Sequence, residues 1–131
     1  MHAIVTGCAG FIGGHLSEAL LQRGWQVTGI DNFLPSYEVE PRRSTVAGLL
    51  TSPAFRFFEA DIAVASLEDY LDSVSVVFHL AAKAGVRSSW EDMDSYLHSN
   101  LLGTQRLLDT VVKQGGIRVV FASSSLSLIH I

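Results

Sequence analysis

The sequence has little cysteine, little positive charge and no long apolar run. It contains one cysteine, Cys8, among 131 residues, so no disulfide can form within the chain. Nine Lys and Arg residues against 13 Asp and Glu give a formal net charge of −4, which provides no broad basic surface for nucleic acid or an anionic membrane. No apolar run approaches the roughly 18 residues that span a bilayer, and the first strand-like run begins at His2, which leaves no room for a signal peptide. We therefore expect a soluble, cytoplasmic protein without nucleic-acid or membrane partners.

What is present is apolar and regularly patterned. Apolar residues make up 48% of the chain and charged residues 17%, a balance that argues for one domain with a real core and against disorder. Short β-branched runs alternate with segments of helical period, which is typical of parallel strands joined by helices. The predicted strands are mostly apolar without strict alternation, as expected of a sheet covered on both faces; they are Ala3–Thr6, Gln26–Ile30, Phe55–Glu59, Val74–Leu80 and Ile117–Ala122.

Between these strands the spacing predicts helices. The first ends near Gly24, and a long one covers Glu91–Gln114 and ends at a glycine pair. A helix over Pro41–Leu50 is begun by proline in its first turn, and a short helix over Ser66–Leu71 has serine as its cap. The predicted apolar faces are Ile12, Leu16 and Ala19 in the first helix and Leu97, Leu101, Leu108 and Val111 in the long one.

The stretch VTGCAGFIGGHL, residues 5–16, places four glycines where the first strand gives way to the first helix. In Gly7-x-x-Gly10-x-x-Gly13 the first glycine allows a tight turn, the second lets N–H groups approach an anion, and the third lets helix and sheet pack closely. Unpaired N–H groups at the positive end of the helix dipole suit a pyrophosphate. A glycine-rich turn without a ligand is the alternative, since glycine spacing alone is a weak signal. The strand before, the helix after and an acidic residue at the end of the second strand favour a dinucleotide site.

That acidic residue, Asp31, bears on the choice of dinucleotide. A carboxylate at this position can accept hydrogen bonds from the ribose hydroxyls of NAD, whereas it would repel the 2′-phosphate of NADP. The alternative is a turn-forming Asp paired with Asn32. Asp61, after the third strand, could bind the adenine amino group or serve only its own turn. The sequence therefore predicts NAD.

Six blocks in order carry a resemblance to a known family: VTGCAGFIGGHL, GIDNF, EADI, VVFHLAAKAGVRSSW, SNLLGTQRLL and VVFASSS. Together they resemble the extended short-chain dehydrogenase/reductases of the NAD-dependent epimerase/dehydratase group over residues 2–125. AAKAGVRSSW with SYLHSN is most similar to nucleotide-sugar 4-epimerases, including those acting on UDP-glucuronate. The resemblance implies a doubly wound α/β Rossmann domain with a parallel sheet of strand order 3-2-1-4-5.

Carried over by position, the resemblance implies a set of cofactor contacts. The pyrophosphate, ribose, adenine and nicotinamide-side contacts are, in chain order, Gly7, Gly10, Phe11, Ile12, Gly13, Asp31, Asn32, Asp61, Ile62, Leu80, Ala81, Ala82, Lys83, Asn100 and Ser123. Small residues after the fourth strand suit a flat cofactor passing close to the backbone, although ordinary tight packing would use them too. Asn100 has low helix propensity in mid-helix, which an exposed position would also explain.

The resemblance also implies substrate contacts and a catalytic hydroxyl. Gly85, Val86 and Arg87 match a loop that faces the sugar nucleotide, where a guanidinium could bind a phosphate or carboxylate with two hydrogen bonds; a solvated arginine is the alternative. Ser124 matches the catalytic hydroxyl that contacts both the substrate and the reacting sugar oxygen. A merely polar strand end is the other interpretation.

After these serines the chain departs from the family pattern. The family supplies Tyr-x-x-x-Lys, whose tyrosine is the general base and whose lysine lowers its pKa. Tyr37, Tyr70 and Tyr96 are not followed four residues later by lysine. We expect residues 1–125 to be the N-terminal part of an NAD-binding domain, 126–131 to be a non-native tail, and the C-terminal substrate domain to be absent.

The function predicted for the parent protein is nucleotide-sugar 4-epimerisation by transient oxidation at C4, with a UDP-sugar as substrate and a homodimer as the assembly. The chain itself is expected to be inactive. A sugar-nucleotide dehydratase or decarboxylase of the same family, or a non-catalytic NAD-binding sensor, remains open. The histidines show no metal-ligand spacing with cysteines or carboxylates, so no metal is predicted.

Overall fold

The computed structural model describes residues 1–35, 38–85 and 90–123 and places five parallel strands in one sheet. The strands are β1 (His2–Thr6), β2 (Gln26–Asp31), β3 (Phe55–Glu59), β4 (Val76–His79) and β5 (Arg118–Phe121). The helices are α1 (Phe11–Gln22), α2 (Val39–Leu49), α3 (Met93–Tyr96) and α4 (Gly103–Gln114), with a 3-10 turn at Glu68–Tyr70 and a π-helical turn at Leu97–Leu102. None of the described helices has the length and apolar character needed to cross a membrane.

The sheet has the order β3-β2-β1-β4-β5, and all four pairs of neighbours are parallel. Both the predicted strands and the predicted order 3-2-1-4-5 are confirmed. The order reverses between β1 and β4, and ligands of open α/β sheets bind at such a switch point, outside the carboxyl ends of the strands. The carboxyl ends of β1, β2 and β4 therefore set the position of any site.

Core residues lie on both faces of the sheet. Ile4 packs with Leu107 and Val111 of α4, whereas Val5 packs with residues of α1 and α2 on the opposite side. Neighbouring residues of a strand point to opposite faces, so continuous burial along β1 requires a helical layer on each side. This arrangement is the reason that the strands read as apolar runs without alternation.

The predicted apolar face of α1 is wrong at Ile12 and Ala19, which are exposed, whereas Leu16 is half-buried against the core. Ile12 is 67% exposed, and the buried residues of the helix are Gly13, Gly14, Ser17 and Leu20. A Cβ on Gly13 would lie 2.1 Å from the Gly7 carbonyl oxygen, so the helix approaches the turn too closely for a side chain on that face. Small residues therefore form the contact with the turn, and Leu20, further along the helix, packs in the core.

The long helix buries Val111, as predicted, but not the other three residues of its predicted apolar face. It begins at Met93 and is continuous to Gln114 through the π-helical turn. Its buried residues are Gly103, Leu107, Thr110 and Val111, while Leu97, Leu101 and Leu108 are 49%, 62% and 40% exposed. A π-helical turn holds more residues than an α-helical one, so it shifts the phase of the helix faces. An α-helical period counted through this turn from Leu97 and Leu101 therefore does not identify the buried face of α4.

The remaining helices are closer to expectation. Helix α2 contains Pro41 in its first turn, as predicted. The predicted helix at 66–71 is only the 3-10 turn, and Ser66 does not cap it: its hydroxyl donates a hydrogen bond to the Glu68 carboxylate, 3.1 Å away. Leu67 and Leu71, on either side of the turn, are both buried in the core, and six residues are too few for an α-helix to gain much further stability.

Candidate functional site

A cleft lies at the carboxyl ends of β1, β2 and β4, and most of the predicted cofactor residues line it. Those present in the lining are Gly7, Gly10, Asp31, Asn32, Asp61, Ile62, Leu80, Ala81, Ala82 and Lys83. They come from four separate stretches of the chain, which only the parallel sheet brings together. Their roles as cofactor contacts stay a prediction.

The glycine turn opens the cleft. Gly7 has φ +72°, a left-handed conformation that favours glycine, and a Cβ there would lie 2.9 Å from the Ala81 nitrogen. Gly10 is the N-cap of α1 and provides no side chain to cap it. The first N–H groups of the helix therefore keep their capacity to bind an anion.

Asp31 ends β2 and is 9% exposed. Its carboxylate accepts hydrogen bonds from the Ala9 N–H, at 3.1 Å, and from the Phe33 N–H, at 2.8 Å. The side chain thus connects the glycine turn to the segment after β2. Each carboxylate oxygen can accept a second hydrogen bond. The same side chain can therefore hold the turn and also bind a ribose hydroxyl.

Arg42, from α2, also lines the cleft, and the sequence analysis missed it. Its Nη1 lies 3.8 Å from the Asp31 carboxylate, and its Nη2 donates a 2.7 Å hydrogen bond to the Leu34 carbonyl. Its Nε–H is buried and has no hydrogen-bond partner within the described part of the chain. Arg42 lies eleven residues after Asp31 in the sequence, on a separate helix. Nothing in that spacing indicates that its guanidinium approaches the carboxylate.

The opposite end of the cleft contains Asp61. Its carboxylate accepts a 2.8 Å hydrogen bond from the Ala63 N–H and lies 2.9 Å from His98 Nε2. Burial acts to raise the pKa of Asp61, but the Ala63 N–H, His98 and the Asn32 side chain together hold the pKa below its usual value. The turn role expected of this aspartate is present, and the carboxylate that faces the cleft is ionised at neutral pH.

Residues 80–83 form the wall of the cleft after β4. The Asn100 side chain holds this wall from the π-helical turn: it accepts the Lys83 N–H at 2.7 Å and donates to the Lys83 carbonyl at 2.9 Å. The Lys83 ammonium pairs with Asp92 and lies 4.9 Å from the Tyr96 ring centroid. Asn100 does not line the cleft itself, so in this structure its contact with the cleft is through the Lys83 backbone.

Other predicted site residues lie at the rim or outside the described part. Phe11 and Ile12 are exposed, whereas Gly13 is buried behind the turn. The Gly85 carbonyl accepts a 2.7 Å hydrogen bond from the Tyr96 hydroxyl, and Ser123 follows the end of β5. Val86, Arg87, Ser124 and Tyr37 lie outside the described residues.

Two kinds of chemistry find no support in the described residues. Cys8 is buried, and burial, followed by the Asp31 carboxylate, raises the pKa of its thiol far above the usual value; a thiolate nucleophile is therefore disfavoured. Residues 1–35, 38–85 and 90–123 contain no group of three or more His, Cys, Asp or Glu side chains placed to hold a metal ion.

Comparison with known proteins agrees with this geometry. The model of the NAD dependent epimerase/dehydratase family matches residues 3–127. A UDP-glucuronate 4-epimerase from Thermodesulfobacterium geofontis is 40% identical over 125 residues, which cover 93% of this chain and 39% of that protein. The crystal structure of UDP-glucuronic acid 4-epimerase from Bacillus cereus in complex with UDP-glucuronic acid and NAD superposes with a TM-score of 0.88 at 36% identity, covering 95% of this chain and 40% of that one.

A third relative has a different activity. The dTDP-glucose 4,6-dehydratase DesIV from Streptomyces venezuelae, solved with NAD bound, has a TM-score of 0.80 at 32% identity and covers 91% of this chain and 38% of that one. The chain thus spans about two fifths of the length of each of these proteins. Sequence, strand order and the position of the cleft agree: the chain belongs to the NAD-dependent epimerase/dehydratase family.

Proposed function

We propose that this chain is the NAD-binding N-terminal part, residues 1–125, of a cytoplasmic nucleotide-sugar 4-epimerase. The observation that carries the proposal is the convergence of the glycine turn, Asp31 and Asp61 on one cleft at the switch point of the sheet. The Thermodesulfobacterium and Bacillus relatives are UDP-glucuronate 4-epimerases, which supports a UDP-sugar as the substrate.

The residues that line the cleft suit the parts of a dinucleotide. The uncapped end of α1 would hold the pyrophosphate, and the Asp31 carboxylate would accept hydrogen bonds from the adenosine ribose. Asp61 and Ile62 would contact the adenine, and residues 80–83 would lie against the nicotinamide-side ribose. NAD is preferred over NADP because a 2′-phosphate would approach the carboxylate of Asp31.

In the parent enzyme this chain would contribute the residues that bind NAD and one catalytic hydroxyl. When bound, NAD supplies the hydride acceptor for transient oxidation at the sugar C4 and the hydride donor for the return step. Ser124 would hydrogen-bond the reacting sugar oxygen, with Ser123 near the nicotinamide. Gly85, Val86 and Arg87 would face the sugar nucleotide, where the guanidinium would hold a phosphate or carboxylate.

The chain by itself is proposed to be inactive. No tyrosine in it is followed four residues later by lysine, so the family's general base is lacking. The substrate domain would follow in the parent protein, with residues 126–131 as a non-native tail. Recovery of the continuation of the reading frame tests both points, since a native continuation would supply Tyr-x-x-x-Lys.

A homodimer of the parent is proposed to form through the long helix. Leu97 and Leu101 of the π-helical turn and Leu108 of α4 are partly exposed at helical spacing, and an apolar row of this kind favours pairing with another helix. The substitution Leu101→Lys should lower the dimer fraction of the parent in light scattering, whereas Val64→Lys, at a comparably exposed valine in the loop after β3, should not.

A dehydratase is the second candidate, because the Streptomyces relative shares the same N-terminal architecture. A decarboxylase of the family and a non-catalytic NAD sensor are further alternatives. The residues that would separate these functions follow Ser125 in the family pattern. Incubation of the full-length parent with UDP-glucuronate separates them directly: a 4-epimer supports our proposal, and loss of water or carbon dioxide contradicts it.

Calorimetric titration of the 131-residue chain with NAD and with NADP tests the cofactor assignment. We expect weak binding of NAD, since part of the nicotinamide side comes from residues after Ser125 in the family, and weaker binding of NADP. A chain that is folded by circular dichroism and binds neither nucleotide would contradict the assignment of the cleft.

A further inference from the structure

His79, the last residue of β4, is 2% exposed, and its ring lies between two hydroxyl groups. Its Nδ1 is 2.8 Å from Thr6 Oγ1 on β1, and its Nε2 is 2.8 Å from Thr104 Oγ1 on α4. The Phe121 ring of β5 packs against it, with 5.5 Å between centroids. The groups that contact the imidazole from these three elements are uncharged.

The hydrogen bonds around Thr6 define the proton on one side of the ring. The Thr6 hydroxyl oxygen accepts the N–H groups of Leu80 and Ala81, each at 3.2 Å. The Leu80 N–H also lies 3.3 Å from the Thr6 carbonyl oxygen, so it is shared between the two oxygens. With two N–H groups directed at its oxygen, the Thr6 hydroxyl is placed to donate its own proton to an unprotonated Nδ1 of His79.

The hydrogen bonds around Thr104 define the other side. The Thr104 hydroxyl donates to the Asn100 carbonyl oxygen at 2.7 Å. Because its single proton is used there, it accepts a hydrogen bond from His79, whose Nε2 must carry the proton. Both sides thus require the same neutral Nε2–H tautomer.

The chain of hydrogen bonds begins on the wall of the cleft, at the N–H groups of residues 80 and 81, and ends at the Asn100 backbone carbonyl. The Asn100 side chain separately bonds the Lys83 backbone through both its donor and its acceptor. The π-helical turn that contains Asn100 provides this second anchor; such turns occur often at functional sites. The wall is therefore held at two points, which this chain of hydrogen bonds and the main chain of Asn100 connect.

The position of this wall matters for the glycine turn opposite. A Cβ on Gly7 would lie 2.9 Å from the Ala81 nitrogen and 3.0 Å from its Cα, so the wall and the turn are in close contact. A displacement of the wall by a few tenths of an ångström would change the width of the cleft between them.

We propose that His79 is a positioning residue for the cofactor: as the central member of a relay from residues 80–81 through Thr6 and Thr104 to Asn100, it sets the wall against the glycine turn. The inference rests on the proposed binding of NAD in this cleft. His79 does not contact the cofactor in this account; it acts through the wall. A protonated ring would place a third N–H against the Thr6 hydroxyl oxygen, in competition with those of Leu80 and Ala81, and would displace the wall.

Two measurements test the relay. In a long-range ¹H–¹⁵N NMR spectrum of the histidine side chains, His79 should show the Nε2–H tautomer at neutral pH; an Nδ1–H tautomer would overturn the proposal without reference to any ligand. In NAD titrations at pH 7.5, Thr104→Val should weaken binding about tenfold, which corresponds to about 1.4 kcal/mol, the range of one hydrogen bond. Thr104→Ser keeps the hydroxyl and should restore the affinity.

A second variant separates positioning from folding. His79→Gln retains an amide donor toward Thr104 but cannot be protonated, so its NAD affinity should fall less between pH 7.5 and 5.5 than that of the wild type; the response that remains belongs to other groups, such as His98 beside Asp61. Melting curves recorded in parallel show whether each variant is folded at the titration temperature. The relay is overturned if the wild type binds NAD and Thr104→Val binds it equally well. It is also overturned if the affinity of His79→Gln changes with pH as much as that of the wild type. In both cases the proposed function stands. Absence of binding in the folded wild type overturns the proposed function itself.

Discussion

At the scale of single residues, opposite charges share the cleft where the adenosine ribose is proposed to bind. Asp31 favours a ribose with free hydroxyls, and the Arg42 guanidinium 3.8 Å away partly neutralises it. The Nε–H of Arg42 is buried and has no hydrogen-bond partner in the part of the chain that the structure describes. The preference for NAD over NADP therefore depends on the negative charge of Asp31 relative to the positive charge of Arg42.

The first prediction changes that balance. Asp31→Asn removes the negative charge and leaves Arg42 without its counter-ion, so the ratio of NADP to NAD affinity should rise at least tenfold, or about 1.4 kcal/mol. Calorimetric titration with both nucleotides measures it. In the double variant Asp31→Asn/Arg42→Ala the gain for NADP should disappear; a gain that persists would show that Arg42 does not contact the phosphate.

The second prediction concerns pH. Burial lowers the pKa of His79 below that of an exposed histidine, so between the two values the unfolded chain binds more protons than the folded one. The free energy of unfolding should therefore be fully retained above the unfolded pKa of about 6.5 and fall as pH drops through the folded pKa, by at most about 1.4 kcal/mol per pH unit. Urea denaturation at pH 7.5 and 5.5 measures this fall.

His79→Gln serves as the comparison for that measurement. The pKa of His2 is also lowered, first by burial and then by Arg56, so part of the pH dependence will remain in the variant. A variant whose stability falls with pH as steeply as that of the wild type would show that His79 does not titrate in this range.

At the scale of elements, the contact between the glycine turn and α1 determines the geometry of the cleft. Gly13 faces the turn at a distance that excludes any side chain, while a Cβ on Gly10 would meet only the Gly7 carbonyl oxygen, at 3.3 Å. A residue other than glycine could thus be accommodated at position 10 with a small shift. Its side chain would, however, cover the first N–H groups of the helix.

The third prediction follows from this difference. Gly10→Val should weaken NAD binding at least tenfold, because a branched side chain at the N-cap blocks approach to the amides of α1. Gly48→Val is the matched control: Gly48 lies within α2, and a Cβ there would contact nothing within 4 Å. Equal affinities of the two variants for NAD in calorimetric titration would argue against the pyrophosphate site.

At the scale of the whole molecule, β5 is the end strand of the described sheet, and Val120 and Phe121 on it are 42% and 57% exposed. An exposed, apolar end strand presents unpaired N–H and C=O groups to other chains. Association through β5 would therefore compete with the monomer.

The fourth prediction is that the purified chain associates through this edge. Its thermal transition should broaden and shift with protein concentration, and Val120→Lys should raise the monomer fraction in light scattering at least twofold, because a charged end strand resists pairing. Val64→Lys, at an exposed valine outside the sheet, should leave association unchanged. A sharp, concentration-independent transition of a monomeric wild type would contradict this account.

Local sequence determined the parts of this protein that depend on neighbouring residues. The strands, the glycine turn with Gly7 at positive φ, and Asp31 at the end of β2 could all be predicted, because hydrophobic runs and backbone sterics act over a few positions. The strand order also followed from the family resemblance. The same resemblance named most of the residues that line the cleft.

Only the tertiary structure decided which faces are buried and which side chains meet. Ile12 and Leu101 are apolar yet exposed, because the close approach at Gly13 and the phase shift of the π-helical turn turned other residues toward the sheet. The contact of Arg42 with Asp31, and the relay centred on His79, join residues from different elements. Spacing along the chain contains no record of such distances, since they arise only when the helices pack on the sheet.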